Sequence, residues 1–326
     1  MARTSTSSTS IDRRRTPPPF YHWVSSLEEP HFSGARPYRS YRGVWSDVAE
    51  IACRHDHVSV DGIGHSAGGE PMWSIAVGTG APTVFVLAGL HAMEHVGPAT
   101  ALALIDGAAG GAAAWSHRRL VVVPVGNPDG YLACERMFAS GRRRFVRRNR
   151  RGVDLNRNFA VGWDDSYYLN RLLRPLFAPG RAPLSEPETR AVDGVVSRER
   201  PAFAVSLHAF GEVIYTPYAG TDEEPPDAAR LRAIARAMAA RQPGRAYKTM
   251  QLGRRSRYFR ACGSEIDHFY GRYGALSFLI EIGAGPRLRS PSTWLSPYRW
   301  YTPPDRLLER DIARVLPAVD YLSELE

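Results

Sequence analysis

The chain has 326 residues, of which 44% are hydrophobic and 23% are charged, a composition that excludes disorder throughout and is typical of a globular protein. Its net charge of +9 is compatible with an anionic partner and equally with plain solubility. Three cysteines without a Cys-x-x-Cys pair argue against a disulfide scaffold and a thiolate zinc cluster, and no apolar run reaches the roughly 18 residues of a membrane span.

The amino-terminal segment differs in composition from the rest of the chain. Ser and Thr dominate Met1–Ser10, and an arginine triplet and a proline triplet follow. A secretory signal needs an apolar segment behind its positive charges, where this chain has prolines. We therefore expect residues 1–18 to be a disordered tail, residues 19–326 to form one folded domain, and the protein to be cytoplasmic. An arginine- and serine-rich transit peptide is the weaker alternative.

Apolar patterning predicts helices and buried strands that alternate along the chain. In chain order they are helix Gly43–Arg54, strands His57–Ile63, Met72–Gly78 and Thr83–Leu90, helix Pro98–Ala109, strand Leu120–Val125, helix Glu188–Arg198, strand Phe203–Leu207, helix Ala228–Arg241, strand Leu276–Ile282 and helix Asp305–Leu325. This alternation predicts a single α/β domain with a central mixed, mostly parallel twisted sheet flanked by helices. Active sites of such sheets lie beyond the carboxyl ends of the strands.

Residues that could bind a metal follow two of these strands. His91 and Glu94 come directly after Thr83–Leu90, and His208 closes the strand Phe203–Leu207. Imidazole and carboxylate groups are zinc ligands, and a catalytic site needs three of them with one position left open. Each signal alone is also explained by a polar loop or a core histidine. Their shared position at strand ends favours a metal site.

A carboxylate also ends the last predicted strand, where the apolar run from Leu276 leads into Glu281. A charged group on a buried strand is costly unless it is paired or functional. Its structural explanation would be an ion pair with an arginine. Beside a metal-activated water, the same carboxylate would instead be a general base.

These motifs together resemble the zinc metallocarboxypeptidases of the carboxypeptidase A type. The resemblance extends from about Tyr41 to Leu322 and implies a zinc carboxypeptidase-like fold with one Zn²⁺ per chain. It is carried by Gly89-Leu-His91-Ala-Met-Glu94, Asn127-Pro-Asp-Gly-Tyr131, Arg147-Arg-Asn-Arg150, Gly152-Val-Asp-Leu-Asn-Arg-Asn-Phe159, Leu184-Ser-Glu-Pro-Glu-Thr189, Ser206-Leu-His208, Gly263-Ser264 with Asp267, and Leu279-Ile-Glu281.

The resemblance implies roles for the residues around the metal. The zinc ligands would be His91, Glu94 and His208. Asp154 would accept a hydrogen bond from the distal nitrogen of His91 and thereby fix its tautomer. Glu281 would take a proton from the activated water and pass it to the leaving amine.

The resemblance also implies roles for three residues that contact substrate. Arg147 would stabilise the oxyanion at the scissile carbonyl, an assignment over Arg144 or Arg148 that depends on the Asn149-Arg150 pair behind it. Asn156 and Arg157 would bind the free carboxylate of the substrate, since the planar guanidinium matches a carboxylate in two hydrogen bonds. The role of the surrounding arginine cluster, residues 142–151, stays open.

The pocket for the terminal side chain has two interpretations. The family's tyrosine position, eight residues before Asp267, falls on Phe259, so either Phe259 or the adjacent Tyr258 would cover the bound residue. The family's pocket floor falls on Ile266, which suits a neutral, apolar side chain. The same loop contains four arginines, Arg254, Arg255, Arg257 and Arg260. They could instead attract acidic substrates, or they could simply be a solvated basic loop.

Three alternatives remain open. The segment from His91 to His95 also fits an H-x-x-E-H site, in which His95 replaces His208 as a ligand. The same fold could serve an amidase or deacylase that acts on peptidoglycan-derived or acylated amino-acid substrates. A metal-free binding protein could also keep the fold, although such a protein would not need four intact site residues.

The sequence thus predicts a zinc-dependent hydrolase that removes C-terminal amino acids from a peptide, with Glu281 as the general base. Its expected partner is a peptide with a free C-terminal carboxylate. No membrane partner is expected. No nucleic acid is expected either, because no stacking aromatic residues interleave the basic cluster. The preferred terminal residue and the oligomeric state are not predicted.

Overall fold

The computed structural model of the chain describes residues 18–27, 38–142, 146–164, 172, 177–256, 258, 260–284 and 305–325. The strands are β1 (Val58–His65), β2 (Pro71–Val77), β3 (Thr83–Ala88), β4 (Arg119–Val123), β5 (Phe203–His208), β6 (Val213–Thr216), β7 (Lys248–Gln251) and β8 (Leu276–Glu281). The α-helices are α1 (Pro18–Ser26), α2 (Tyr41–Arg54), α3 (Val96–Ala109), α4 (Pro128–Ala139), α5 (Pro187–Glu199), α6 (Ala228–Ala240), α7 (Glu265–Tyr273) and α8 (Asp305–Ser323).

The strands form one mixed sheet in the order β1-β2-β4-β3-β5-β8-β6-β7. Its centre is parallel, because β3 pairs in parallel with β4 and β5, and β5 pairs in parallel with β8. Antiparallel pairs join β1 to β2, β2 to β4 and β6 to β8, while β7 runs parallel to β6 at the edge. The predicted single α/β domain with a mixed, mostly parallel sheet is confirmed.

Helices cover both faces of this sheet. Along β3, Val84 and Val86 belong to one apolar core and Phe85 and Leu87 to the other, as the alternation of side chains along a strand requires. The first core also contains side chains of α2, α3, α6 and α8, and the second contains those of α5 and α7. Burial on both faces explains why the central strands are nearly continuous apolar runs in the sequence.

Three parallel strands end together at one edge of the sheet. The register pairs Ala88 of β3 with Leu207 of β5, and His208 of β5 with Glu281 of β8. Side chains that follow β3 or that end β5 and β8 therefore meet at this edge, which is where ligands bind in open α/β sheets.

The structure adds five elements that the sequence did not predict: α1, α4, α7, β6 and β7. The strands β6 and β7 have only four residues each, too few for a periodic pattern. The start of α4, Pro128-Asp-Gly, has the composition of a turn. Here Pro128 occupies the first helical turn, and Asn127 caps the helix by accepting a hydrogen bond from the Gly130 N–H at 3.0 Å.

The expected disordered tail lies almost wholly outside the described residues. Pro18 begins α1, and residues 1–17 precede the described part of the chain. Of the helices that the structure describes, none combines the length and the apolar character needed to cross a membrane.

Candidate active site

Three side chains that could hold one metal ion converge at the carboxyl edge of the central strands. His91 Nδ1 lies 2.9 Å from Glu94 Oε1, and His208 Nδ1 lies 2.9 Å from Glu94 Oε2. The two Nδ1 atoms are 3.0 Å apart, so the potential ligand atoms are close enough to bind one ion. All three side chains are buried. Two imidazoles and one carboxylate form a ligand set that catalytic zinc sites use.

Each histidine has its other ring nitrogen on a buried carboxylate. His91 Nε2 lies 3.1 Å from Asp154 Oδ1. His208 Nε2 lies 2.9 Å from Glu265 Oε1 and also 2.9 Å from Ser206 Oγ. In the neutral histidine, an outer N–H that donates a hydrogen bond to the carboxylate leaves the lone pair of the inner nitrogen directed toward the centre.

The charges at this centre favour a cation. Burial alone would raise the pKa of Glu94, but the two histidines hold it below its usual range. Burial alone would lower the pKa of His208, but Glu94 and Glu265 raise it to about 10. The cluster therefore stabilises positive charge between its side chains, which is the property that a divalent cation site needs.

His95 takes no part in this centre. It lies at the start of α3, where its ring centroid is 4.6 Å from that of Tyr131 and where it also packs on Tyr38 and Phe138. Burial lowers its pKa to about 4. In the described part of the chain, the group of residues able to hold a metal consists of His91, Glu94 and His208. The H-x-x-E-H alternative is therefore not supported.

Arg147 reaches the metal-binding side chains from a neighbouring loop. Its Nε donates to Asp154 Oδ2 at 2.9 Å, and its Nη1 lies 3.7 Å from Glu94 Oε1. Arg148 instead donates to a backbone carbonyl of its own loop at 3.4 Å, and Arg144 lies outside the described residues. Of Arg147 and Arg148, which the structure describes, Arg147 is thus the one that lies at the centre.

Asn149 holds the Arg147 loop in place. Its side-chain amide donates to Glu186 Oε2 at 2.9 Å and to Glu188 Oε2 at 3.2 Å. Its side-chain oxygen accepts two backbone N–H bonds of its own loop, each 3.0 Å long. Glu186 and Glu188 do not line the cavity. Through Asn149 they hold the loop that presents Arg147, which explains how their motif supports the site.

Asn156 and Arg157 lie in a short 3₁₀ turn. Both line the cavity onto which the side chains of His91, Glu94 and His208 open. The Arg157 guanidinium is buried and lies 5.3 Å from the centroid of the Phe177 ring. The Arg147 guanidinium lies 5.7 Å from the same ring. The Phe177 ring thus contacts both cations, and it attracts each of them through a cation–π interaction.

Glu281 ends β8 beside His208. Its Oε2 is buried and accepts no hydrogen bond from the residues that the structure describes. Burial and the negative charge of Glu94 raise its pKa to about 7. A carboxylate with a free oxygen at the cavity and a raised pKa is suited to accept a proton from a reacting group.

The metal-binding side chains open on a cavity of about 400 Å³. This volume lies in the range of small-molecule sites, about 300–1,000 Å³. Polar groups are supplied by the metal-binding residues and by Arg147, Asn156, Arg157 and Glu281. Another part of the lining is mainly apolar, and it consists of Phe210, Leu252, Ala261 and Leu279 with Arg255 and Ser256.

The residues expected at the terminal pocket lie in different surroundings. Ile266 is completely buried in an apolar cluster with Leu252, Ala261 and Leu279. Those three side chains line the cavity, whereas Ile266 packs with them and is not itself part of the described lining. Tyr258 is 68% exposed and is also outside that lining. Phe259 lies outside the described residues.

Glu265 and Phe177 are site residues that the sequence analysis did not identify. The available signal for Glu265 was an acidic residue inside the Gly263-Ser264 motif, at the start of α7. Phe177 belongs to no motif, and its place beside two arginines follows from tertiary structure alone.

Two glycines allow the backbone to turn at the centre. Gly89, just after β3, has a φ of +64°, and a Cβ there would lie 3.1 Å from the Pro124 carbonyl oxygen. Gly263, just before α7, has a φ of +74°, and its Cβ would lie only 2.4 Å from the Arg157 carbonyl oxygen. Glycine suits both positions because it has no Cβ and tolerates positive φ.

Residues 46–311 match the zinc carboxypeptidase family, peptidase family M14. Mast cell carboxypeptidase A of Mus musculus is 27% identical over 240 residues, which cover 68% of this chain and 56% of that protein. Carboxypeptidase A2 of Mus musculus is 28% identical over 277 residues, which cover 75% of this chain and 62% of that protein. The chain thus spans less than two thirds of the length of these curated relatives.

Solved structures share the fold. Bovine thrombin-activatable fibrinolysis inhibitor, in complex with tick carboxypeptidase inhibitor, aligns with a TM-score of 0.74 at 23% identity, covering 88% of this chain and 96% of that one. Carboxypeptidase A from Helicoverpa armigera aligns with a TM-score of 0.74 at 23% identity, covering 88% and 73%. With the family match over most of its length and a His-Glu-His site at the expected edge of the sheet, the chain belongs to the zinc carboxypeptidase family.

Proposed function

We propose that this protein is a zinc-dependent carboxypeptidase, which removes amino acids one at a time from the C-terminus of a peptide. The observation that carries the proposal is the convergence of a His-Glu-His ligand set, a free carboxylate and the arginines Arg147 and Arg157 in one cavity. A metal site with an adjacent base supports hydrolysis, and a buried arginine in the same cavity supports recognition of a free carboxylate.

His91, Glu94 and His208 would hold one Zn²⁺. The potential ligand atoms of the three side chains face one another. The outer nitrogens of the two histidines are hydrogen-bonded to Asp154 and Glu265, which directs their inner lone pairs to the centre. The set is therefore chemically suited to zinc. When bound, zinc supplies Lewis-acid chemistry that makes water a nucleophile at neutral pH.

Glu281 is the proposed general base. Its raised pKa of about 7 would fall toward the ordinary range beside a bound cation, because positive charge favours the carboxylate. It would then be ionised at neutral pH. A carboxylate oxygen of Glu281 would accept a proton from the attacking water and later deliver it to the leaving amine.

Arg147 and the Asn156–Arg157 pair would position the substrate. Arg147 would donate hydrogen bonds to the carbonyl oxygen as negative charge develops there. Arg157 and Asn156 would bind the terminal carboxylate, with the guanidinium fork matching both of its oxygens. Holding that carboxylate at a fixed place would restrict cleavage to the last peptide bond.

Three further residues are proposed to contact the terminal residue or to support its pocket. Tyr258 or Phe259 would cover the bound side chain. Ile266 would act through the apolar residues that it packs against and that line the cavity. The cytoplasmic location expected from the sequence stays a prediction.

The test is hydrolysis of a peptide library in which every residue occurs at the C-terminus. Zinc-loaded wild-type protein should remove C-terminal residues stepwise, as followed by mass spectrometry. Glu281→Gln keeps the shape of the side chain but cannot take the proton, so it should be slower by at least about 100-fold. Glu50→Gln, at an exposed position of α2, is the matched control and should behave as wild type.

Two results would contradict the proposal. If wild-type protein holds one zinc per chain but leaves every peptide intact, peptidoglycan-derived and acylated amino-acid substrates become the next candidates. If the purified protein takes up zinc far below one per chain even from excess metal, a metal-free binding role would replace the enzymatic one.

A further inference from the structure

The mainly apolar wall of the cavity carries one charged side chain. Leu252, Ala261 and Leu279 line this wall and belong to one buried apolar cluster. Arg255 lines the cavity at the same wall, and its side chain is exposed. Apolar side chains and one cation thus border the same cavity.

Arg255 contacts strand β6, which pairs with β8. Its guanidinium carbon lies 5.9 Å from the centroid of the Tyr215 ring. Tyr215 pairs with Leu279 across β6 and β8, and Leu279 shares a strand face with Glu281 two residues later. The guanidinium therefore lies on the flank of the proposed base. The pair that would bind the terminal carboxylate comes from a separate segment, the turn that ends at Arg157.

The neighbouring arginines that the structure describes already form ion pairs. Arg254 Nη1 lies 2.8 Å from Glu224 Oε1, and Arg260 Nη2 lies 3.1 Å from Asp222 Oδ2. Neither of them lines the cavity. Arg255 forms no ion pair with any acidic side chain in the described part of the chain, and Arg257 lies outside that part. A charge that faces a cavity and is engaged in no ion pair is available to a ligand.

We propose that Arg255 makes the enzyme select peptides that end in glutamate or aspartate. Its guanidinium would bind the side-chain carboxylate of the terminal residue, while Arg157 binds the α-carboxylate. The inference rests on the proposed carboxypeptidase function and names the substrate class of that site.

The chemistry of an acidic terminal residue fits this arrangement. Such a residue has two carboxylates, and the cavity offers Arg157 for one and Arg255 for the other, from two separate segments. A charge-assisted bond to Arg255 would break no existing ion pair. The methylene groups of glutamate would pack on Leu252 and Leu279, and a terminal lysine would be repelled.

The experiment compares N-acylated dipeptides that differ only in their last residue, which is glutamate, glutamine, leucine or lysine. Glutamate and glutamine have nearly the same shape, so the ratio of their kcat/KM values isolates the charge. We expect a ratio on the order of tenfold to 100-fold in favour of glutamate, the range of one hydrogen bond to a charged group. Because Arg255 is exposed, added salt should reduce that ratio.

Substitutions at Arg255 test whether this residue is the cause. Arg255→Gln should remove most of the ratio, mainly by raising KM for the glutamate substrate, and should affect the glutamine substrate less. Arg255→Lys should retain part of the preference, and Arg255→Glu should make lysine a better terminal residue than glutamate. Arg254→Gln, next in sequence but outside the cavity lining, is the matched control and should keep the wild-type ratio.

The inference is wrong if wild-type enzyme cleaves glutamine- or leucine-terminated substrates at least as well as the glutamate substrate. It is also wrong if Arg255→Gln keeps the same ratio as Arg254→Gln. Failure of the proposed function would give a different result, because none of the substrates would be cleaved. Calorimetric binding of the same dipeptides to zinc-loaded Glu281→Gln then decides: equal binding of glutamate and glutamine overturns the inference, and tighter binding of glutamate that is lost with Arg255→Gln supports it.

Discussion

The two histidines of the proposed zinc site are held in the same way. His91 bonds through its outer nitrogen to Asp154, and His208 bonds through its outer nitrogen to Glu265. Burial alone would raise the pKa of both carboxyls. Arg147 and His91 nevertheless hold the pKa of Asp154 below its usual range, and His208 does the same for Glu265. Both carboxylates thus stay ionised without solvent, and each fixes the orientation of one ligand.

We expect Glu265→Gln to weaken zinc binding by about 10- to 100-fold, the usual effect of removing a group that orients a metal ligand. Glutamine keeps the size of the side chain but loses the negative charge that makes the His208 nitrogen a stronger electron-pair donor to zinc. Competition with a chromogenic chelator measures this affinity directly and does not depend on activity.

A second buried glutamate provides the control for this prediction. Glu135 of α4 is buried, accepts a hydrogen bond from the Tyr41 N–H, and lies outside the cavity lining. Glu135→Gln should change the free energy of unfolding without changing the zinc affinity. If Glu265→Gln and wild type bind zinc equally well, Glu265 has no part in orienting His208.

Site residues at strand ends could be predicted from the sequence. The residue proposed to select the terminal side chain of the substrate could not. His91 and Glu281 are recognisable because a polar residue directly after a buried apolar run is unusual. Arg254 and Arg255 are adjacent in the sequence and chemically identical, yet one pairs with Glu224 and the other lines the cavity. That difference depends on the path of a loop and on acidic partners about thirty residues away, which no local pattern encodes.

The junction of α2 and α4 contains a carboxyl that is buried against a helix start. Glu135 of α4 accepts a hydrogen bond from the N–H of Tyr41, the first residue of α2, where a negative group is favourable. Burial nevertheless raises the pKa of Glu135 to about 7, although that bond and Arg136 act to lower it. Ionising Glu135 in the folded protein therefore costs free energy.

This cost predicts a pH dependence of stability. Between pH 4.5, the ordinary pKa of a glutamate, and about 7, the folded protein keeps a proton that the unfolded chain has lost, so the contribution of Glu135 to stability falls as pH rises. Glu135→Gln has no charge to bury and keeps an acceptor for Tyr41. Relative to wild type, its free energy of unfolding should therefore rise by about 1–3 kcal/mol between pH 5 and pH 8, as measured by urea titration.

Glu50→Gln is the control for this pH dependence, because Glu50 lies on the exposed side of α2. Its difference from wild type should be nearly the same at both pH values. A pH-independent difference for Glu135→Gln as well would show that Glu135 carries no such cost.

Long, strongly patterned elements were predictable and short ones were not. β3, β5 and β8 are buried on both faces and give continuous apolar runs. By contrast, β7 alternates exposed and half-buried side chains over four residues, and its strand geometry is imposed by pairing with β6. Tertiary pairing therefore decides the structure where the local signal is weak.

The arrangement of the whole molecule explains why residues far apart in sequence form one site. Parallel pairing of β3, β5 and β8 brings their carboxyl ends to one edge, and α5 and α7 on one face of the sheet position the buried groups behind it. The alternation of elements was sufficient to predict this edge. The net charge of +9 was not informative about the substrate, because at the cavity loop most described arginines are already paired.

The most direct measurement compares two peptides of identical sequence, one with a free C-terminal carboxylate and one with a C-terminal amide. Both glutamate and leucine termini should be used, so that the result does not depend on Arg255. With zinc-loaded protein, we expect the free acid to lose its last residue and the amide to be cleaved about 10- to 100-fold more slowly, because the proposed partner of Arg157 has lost its charge. Equal cleavage of the two peptides, or cleavage within the chain, would contradict a carboxypeptidase.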